Sequence, residues 1–160
     1  MQETGSDPYV DALKLLARRE LSAAELRIRL LDREHSQEDT DAAIARLIES
    51  GAVDDRRVAR AYARTASGVK GRGRLRVGRE LQAMGIAREV IAEAVAEVFG
   101  DADERAMVDR AIQKKLRGGK TIKTAQERAR LYQHLMRQGF TPATVSAAMR
   151  RLGSRSDDNE

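Results

Sequence analysis

The sequence predicts an all-α fold of three tandem three-helix repeats, and three observations support that prediction. Residues 81–86 (Leu-Gln-Ala-Met-Gly-Ile) are echoed without a gap by residues 135–140 (Leu-Met-Arg-Gln-Gly-Phe), as expected of a repeated structural unit. Ala, Arg, Leu and Glu are frequent, and proline occurs only twice, which favours helices. Aromatic residues make up 3% of the chain, so we expect stacked small bundles rather than one large core.

The repeat also sets the expected boundaries. Six aligned pairs define the echo: Leu81 with Leu135, Gly85 with Gly139, Ile86 with Phe140, Ile91 with Val145, Ala94 with Ala148 and Val95 with Met149. A looser first copy includes Leu31 and Ile44 but lacks the glycine. Each copy is expected to end on a glycine in a left-handed turn, namely Gly51, Gly100 and Gly153. The predicted repeats are residues 8–53, 54–100 and 101–153, with disordered tails at 1–7 and 154–160.

Helix-start signals predict where the helices of the first repeat begin. Asp7 precedes Pro8, a pair expected at an N-cap and the first helical position. The helix that follows is expected to bury one apolar stripe, made of Tyr9, Val10, Leu13, Leu16 and Ala17. Ser22 and Glu25 have the spacing of a capping box, so the second helix is predicted to begin directly after the serine. A third helix is predicted over residues 37–50.

In the second repeat, Asp55 is the expected N-cap of a helix with one apolar and one basic side. The apolar side is predicted to hold Val58, Ala61, Tyr62 and Thr65, and the basic side Arg57, Arg60 and Arg64. A Gly-rich loop at residues 67–73 leads to a helix with Val77 and Leu81 on its apolar face. The opposite face is predicted to carry arginines at i, i+4 and i+7, namely Arg72, Arg76 and Arg79. The last helix spans roughly residues 88–99.

The third repeat is predicted to open after Asp103. Its first helix is expected to place Val108, Ala111, Ile112 and Lys115 on one side. Gly118 and Gly119 break that helix, and a second capping box starts the next one at Thr124. The apolar side of that helix is predicted to hold Ala125, Ala129, Tyr132 and Met136. A final helix, capped by Thr141 before Pro142, is predicted to end before Gly153.

Several classes of function are excluded by composition. Cysteine is absent, which excludes disulfides and thiolate metal sites. His35 and His134 lie far apart without acidic or histidine neighbours at metal spacing, so surface or turn positions are expected. Residues 118–121 resemble the end of a phosphate-binding P-loop but lack its first glycine and its strand. We therefore expect no enzyme, cofactor or metal. No stretch has the length and hydrophobicity of a membrane span or a signal peptide, which predicts a cytoplasmic protein.

Charge is distributed unevenly along the chain. Its net charge is +5, but residues 1–50 hold 7 basic and 11 acidic side chains, and the remainder is basic. Residues 56–79 contain nine Lys or Arg and no acid, and residues 110–137 contain nine with Glu127 as the single acid. Because neighbouring like charges on a helix repel, these windows predict an anionic partner. Sequence-independent, salt-sensitive phosphate contact is the expected mode. The competing interpretation is a solubilising surface.

The candidate contact residues for nucleic acid or an acidic protein come from both basic windows. They are Arg57, Arg60, Arg64, Lys70, Arg72, Arg74, Arg76, Arg79, Lys114, Lys115, Lys120, Lys123 and Arg130.

Three segments then resemble a known family. Residues 53–62 (Val-Asp-Asp-Arg-Arg-Val-Ala-Arg-Ala-Tyr), 70–81 (Lys-Gly-Arg-Gly-Arg-Leu-Arg-Val-Gly-Arg-Glu-Leu) and 84–86 (Met-Gly-Ile) resemble the central signature of the RecX recombination regulators. Val58 stands where that family usually has phenylalanine, and Val77 where it often has isoleucine. Both departures keep an apolar side chain, so they bear on packing rather than on membership.

The resemblance implies a non-enzymatic modulator of the RecA recombinase, with its three repeats forming an elongated, curved stack. Such proteins lodge along the groove of the RecA filament on single-stranded DNA and suppress ATP hydrolysis, strand exchange and co-protease activity. This role would tie the chain to DNA repair, recombination and the SOS response, as a monomer without a membrane partner. Two alternatives stay open: a stand-alone helix-turn-helix DNA-binding regulator, and an all-helical adaptor that binds only protein.

Overall fold

The computed structural model describes residues 5–100 and 103–157, and side chains as far as residue 153. Within this part of the chain the structure consists of nine helices and contains no strand, which confirms the predicted all-α class. The helices are α1 (Pro8–Leu16), α2 (Ala23–Leu31), α3 (Gln37–Glu49), α4 (Asp55–Gly68), α5 (Arg74–Ala83), α6 (Arg88–Phe99), α7 (Glu104–Lys115), α8 (Ala125–Gln138) and α9 (Pro142–Asp157).

The described residues form two compact units. Unit 1 contains the described part of Met1–Tyr62 together with Leu81–Ala94, and unit 2 contains Ala63–Glu80 with the described part of Val95–Glu160. The division passes through α4, α5 and α6. It therefore does not decide the repeat boundaries, which stay predictions.

The predicted helix starts in the first repeat are confirmed. The Asp7 side chain accepts a hydrogen bond from the Tyr9 backbone N–H at 2.9 Å. The Ser22 hydroxyl accepts from the Glu25 N–H, and the Glu25 carboxylate accepts from the Ser22 N–H. Each bond satisfies a backbone donor that has no partner inside its helix, so these caps fix where α1 and α2 begin.

The core of unit 1 lies where α1, α2 and α3 pack together. Its buried members are Ala12, Leu15, Leu21, Leu26, Leu30, Ile44, Leu47 and Val53. The predicted stripe on α1 is right only in part: Tyr9 and Leu16 pack against this core, whereas Val10 and Leu13 are 42% and 41% exposed and Ala17 is exposed as well. The side chains that α1 buries are Ala12, Leu15 and the acidic Asp11. A small alanine lets two helices pack closely. A prediction based on bulky apolar side chains does not detect such a position.

A polar cluster explains why α1 can bury an acid. Ser6 donates to Asp11 at 2.7 Å, and His35 Nε2 lies 2.9 Å from the other carboxylate oxygen. The Ser6 hydroxyl, followed by His35, lowers the pKa of Asp11 despite its burial. His35 occupies the predicted turn, and it has one acidic partner that the sequence analysis did not identify. Asp11 lies 24 residues away in sequence, outside any local spacing.

Asp55 has a different role from the predicted one. Its carboxylate accepts from the Ala23 N–H at 2.9 Å and so caps α2. The preceding residue, Asp54, accepts from the Arg57 N–H and caps α4 instead. Ser22 also donates to the Met84 carbonyl at 2.6 Å. The bonds of Ser22 and Asp55 thus join the start of α2 to two other segments of unit 1 that are distant in sequence.

Two further apolar faces differ from the predictions. On α4 the buried side chains are Val58 and three alanines, namely Ala59, Ala63 and Ala66, whereas Ala61 and Thr65 are exposed. On α8 the buried side chains are Leu131 and Leu135, whereas Ala125 and Ala129 are exposed and Tyr132 and Met136 half-buried. On both helices the buried face is shifted by one residue or more from the predicted face. Each helix carries more than one row of apolar residues, so the sequence pattern alone does not select the buried row.

Glycine ends only some of the helices. Gly51, Gly85 and Gly139 have φ values of +79°, +74° and +94°, in the left-handed region. The same prediction is wrong for Gly100 and Gly153, which do not have a positive φ. Helix α9 therefore continues to Asp157, so neither its predicted end before Gly153 nor a disordered tail at 154–157 is correct. The predictions for residues 1–4, 101–102 and 158–160 lie outside the described residues.

Candidate nucleic-acid interface

The thirteen predicted contact residues do not share one environment. Arg57 and Arg60 lie in unit 1, and the other eleven lie in unit 2. The structure divides them further, by whether a carboxylate offsets their charge.

The arginines of α4 are paired with acids from distant segments. Arg57 binds Glu20 and lies near Asp54, and Arg64 Nη2 lies 2.9 Å from Glu97 Oε1. Arg56 likewise binds Glu93 at 3.0 Å, and Arg60 adds to the field that lowers the pKa of Glu93. The expectation that the window of residues 56–79 has no compensating acid is therefore wrong. The three glutamates lie 33 to 37 residues from their arginines in sequence.

Arg72, Arg74 and Arg76 belong to a segment that docks on the end of α8. Within unit 2 the Gly73 N–H donates to the Gln138 carbonyl at 2.7 Å, and the Leu75 N–H donates to the Gly139 carbonyl at 3.1 Å. Gly73 must be glycine there, because a Cβ would lie 2.4 Å from the Gly139 oxygen. Because α5 begins at Arg74, Arg72 precedes the helix. The predicted i, i+4, i+7 row on one helix is therefore wrong.

Two of the charges in this docked segment are offset by one carboxylate, that of Glu80. Arg72 Nη1 and Arg76 Nε both lie 2.9 Å from Glu80 Oε1. Arg76 also donates to the Arg137 carbonyl at 3.4 Å, and Arg74 donates to the Phe99 carbonyl at 3.5 Å. The side chains of Arg72 and Arg76 are 20% and 31% exposed. Because they are partly buried and bound to Glu80, we infer that they stabilise the start of α5. Arg79 and Lys70 are exposed and have no carboxylate partner in the described part of the chain.

The remaining candidates gather around α7 and α8 in what we call the basic surface. It consists of Lys70, Arg110, Lys114, Lys115, Lys120, Lys123, Arg130 and Arg137. Two open grooves run through it, with volumes of about 650 and 860 Å³. Lys115 and His134 line both grooves. Arg110 and Arg137 were missed as site residues, although both delimit the second basic window of the sequence.

The acids in the basic surface are engaged elsewhere. Asp103 lines the first groove, where its carboxylate accepts from the Ala106 N–H at the start of α7. Glu127 lines the second groove and accepts from the Lys123 and Thr124 N–H groups in the predicted capping box. These backbone bonds lower the pKa of Glu127. Among the described lining residues, no carboxylate lies within ion-pair distance of a lysine or arginine side chain of the basic surface, although the charge of Lys123 also helps to lower the pKa of Glu127.

His134 lies at the centre of this surface. It is half-buried on α8 and lines both open grooves, so it lies at the surface, which is one of the two predicted positions, and not in a turn. Burial is the largest cause that lowers its pKa, followed by repulsion from Lys115 and Arg137. The imidazole therefore favours its neutral form in the free protein.

Comparison with known proteins identifies the family. Models described as the first, second and third three-helix domains of RecX match residues 9–47, 54–95 and 103–149. The chain belongs to the RecX family. The regulatory protein RecX of Pelodictyon phaeoclathratiforme (strain DSM 5477 / BU-1) is 33% identical over 141 residues, which cover 88% of this chain and 86% of the relative. The regulatory protein RecX of Xanthomonas axonopodis pv. citri (strain 306) is 35% identical over 143 residues, with 89% and 86% covered.

Solved RecX structures agree on the fold. The crystal structure of RecX from Lactobacillus salivarius has a TM-score of 0.76 and 18% sequence identity, covering 96% of this chain and 99% of that one. A second RecX crystal structure has a TM-score of 0.78 and 18% identity, with 89% and 71% covered. The predicted membership is thus confirmed, and it supports a regulatory role. Across residues 5–100 and 103–157, no helix has the length and hydrophobicity of a membrane span. In the same residues no cluster of His, Asp and Glu is arranged to hold a metal ion.

Proposed function

We propose that this chain regulates the RecA filament on single-stranded DNA, and that it inhibits ATP hydrolysis, strand exchange and co-protease activity. Membership in the RecX family supports a regulatory role. The observation that carries the DNA contact is the basic surface, where the two acids that line the grooves accept hydrogen bonds from helix starts. A phosphate chain would supply the missing negative charge.

The proposed contact is with phosphate groups rather than bases. Lysines and arginines that face open grooves suit the regular charge of a nucleic-acid backbone. Tyr132 is half-buried and Phe140 fully buried, so neither offers an open ring face for base stacking. Binding is therefore sequence-independent and weakens with salt, and removal of one phosphate contact on a single strand lowers the slope of log affinity against log salt by about 0.7.

Within the predicted contact set, the unpaired cations are the ones proposed to touch DNA. They are Lys70, Arg79, Lys114, Lys115, Lys120, Lys123 and Arg130. Arg57, Arg64, Arg72 and Arg76 already bind carboxylates, so a phosphate would have to displace an existing partner there. We propose that these four arginines stabilise the units instead.

A charge-reversal pair tests this assignment. Lys115→Glu with Lys123→Glu changes two exposed side chains of the basic surface. Lys14→Glu with Arg29→Glu is the matched control, because both residues are exposed, in the last turns of α1 and α2. RecA ATPase on single-stranded DNA is titrated with each protein, and helicity is checked by circular dichroism. We expect wild type and control to inhibit equally and the first variant to lose inhibition.

The outcomes separate the components of the proposal. Undiminished inhibition by the Lys115→Glu, Lys123→Glu variant contradicts the role of the basic surface. Failure of the wild-type protein to alter RecA ATPase contradicts the regulatory proposal itself. Tight binding to one duplex sequence over random DNA would favour the helix-turn-helix alternative, and no DNA affinity at low salt would favour the protein-only adaptor.

A further inference from the structure

His134 is placed where the two grooves of the basic surface meet. It lines both grooves together with Lys115, which ends α7. On α8 itself, Arg130 lies one turn before it and Arg137 lies three residues after it. In the part of the chain that the structure describes, no carboxylate forms a hydrogen bond or ion pair with the imidazole. A half-buried histidine among cations, with no carboxylate bonded to its imidazole, is poorly placed to hold a proton.

We propose that His134 is a proton-linked phosphate contact, which takes up a proton when phosphate groups occupy the grooves beside it. The ligand class is a phosphate-bearing polyanion, either a nucleic-acid strand or a free polyphosphate.

The surroundings of His134 give the physical reason. The charged groups that line the two grooves are Lys70 after α4, Asp103, Arg110, Lys114 and Lys115 on or before α7, Lys120 and Lys123 in the connecting loop, and Glu127, Arg130 and Arg137 on α8. Both acids accept backbone N–H groups. Burial and the nearest cations lower the pKa of His134 in the free protein. Phosphate in either groove offsets that repulsion, so the bound state favours imidazolium.

The direction of the pH dependence follows from linkage. Because the pKa of His134 is higher in the bound state, the bound protein carries more protons across the interval between the two pKa values. Affinity therefore rises as pH falls through that interval, and it is level above and below it. Each pKa unit gained on binding corresponds to about a tenfold gain in affinity. A phosphodiester strand does not itself titrate in this range.

This inference rests on the proposed function only in placing phosphate on the basic surface. If His134 responds to a strand while RecA ATPase is unaffected, the proposed function fails and the inference stands. If the chain inhibits RecA while His134 does not respond to phosphate, the inference fails alone.

Nuclear magnetic resonance on the wild-type protein gives the direct test. The chain has two histidines, so carbon-13 labelling of histidine gives two imidazole signals, assigned with a His134→Gln variant. Signals are followed between about pH 5 and pH 8, with no ligand, with an oligothymidylate and with tripolyphosphate. His35 is the internal control, because it binds Asp11 in unit 1. We expect the titration of His134 to move to higher pH with ligand.

The two ligands separate the sources of phosphate. A response to both identifies a site for individual phosphate groups, and a response only to the strand identifies a site that needs a chain across both grooves; either supports the proposal. An unchanged His134 titration with both ligands overturns it.

Strand affinity measured by fluorescence anisotropy adds a second readout. Wild type should bind about tenfold more tightly for each pKa unit gained, whereas the affinity of His134→Gln should stay level across the same pH range. Equal pH dependence in the two proteins also contradicts the proposal.

Discussion

Replacement of Gly139 by alanine tests whether the end of α8 holds the segment that starts α5. Gly139 has a φ of +94°, and a Cβ there would lie 2.3 Å from Arg76 Cβ and 2.4 Å from Arg76 N. Neither atom is the end of a flexible side chain, so the segment itself must move. That movement breaks the hydrogen bonds from the Gly73 N–H to Gln138 at 2.7 Å and from the Leu75 N–H to Gly139 at 3.1 Å.

The expected loss of stability has two parts. Alanine in a left-handed conformation costs about 1–2 kcal/mol. The two broken backbone hydrogen bonds add about 1 kcal/mol each, so Gly139→Ala should lower the free energy of unfolding by about 3–4 kcal/mol. Gly118 is the matched control, because its φ is +83° and no atom lies within 4 Å of its Cβ position. Gly118→Ala should therefore cost only the first part, about 1–2 kcal/mol.

Thermal unfolding followed by circular dichroism measures the difference. For a chain of this size about 2–4 °C of midpoint temperature corresponds to 1 kcal/mol. Gly139→Ala should thus melt about 6–16 °C lower than wild type, and Gly118→Ala about 2–8 °C lower. Equal losses in the two variants would refute the docking of residues 73–76 on α8, because the conformational penalty alone would then explain both.

Two further predictions concern unit 1. Ser22→Ala should lower the free energy of unfolding by about 2–3 kcal/mol, because the buried Ser22 hydroxyl caps α2 and also donates to the Met84 carbonyl. Ser36→Ala, at an exposed cap, should lower it by about 1 kcal/mol. Urea unfolding of both variants measures these losses, and equal losses would contradict the prediction. The pKa of Asp11 is lowered on folding, so its contribution is present above the ordinary carboxyl pKa and is lost as pH falls through the folded value. The stability advantage of wild type over Asp11→Asn, measured by urea unfolding against pH, should therefore shrink on acidification, and an advantage that persists in acid would contradict the role of the ionised carboxylate.

Local signals in the sequence were sufficient for the two capping boxes but not for every helix start, nor for the faces that the helices bury. The two capping boxes, at Ser22 and Thr124, each involve residues three apart, so short-range spacing predicts them. The buried face of α1 depends on Ala12 and on an acid that is stabilised by a histidine 24 residues away. No local sequence pattern around α1 includes this histidine. Small side chains such as alanine also contribute little to a prediction that relies on large apolar residues.

The candidate site was likewise predictable from the sequence only in part. Charge composition marked residues 110–137 as a basic window, and the basic surface lies largely within it. It failed for residues 56–79, because Glu20, Glu93 and Glu97 reach the arginines of α4 through the fold. A sequence segment without acidic residues can therefore still have acidic neighbours in the folded protein.

Neutralisation of Glu80 distinguishes bracing arginines from DNA-contacting ones. Charge reversal at Arg72 or Arg76 cannot do so, because it would break the brace and remove any phosphate contact together. Glu80→Gln keeps both arginines but removes the carboxylate that lies 2.9 Å from each of them. The loss of these partly exposed, charge-assisted bonds should lower the free energy of unfolding by about 1–2 kcal/mol.

Strand affinity of the Glu80→Gln variant then decides the role of the two arginines. If Arg72 and Arg76 only brace the start of α5, affinity for an oligothymidylate should stay within about twofold of wild type, since a single added charge outside the contact changes little through salt. If they contact phosphate, removal of their competitor should tighten binding several-fold and steepen its salt dependence. We expect the first result, because both side chains are already partly buried within unit 2 and bound to Glu80. The second result would return the arginines to the contact set and extend the DNA site to α5.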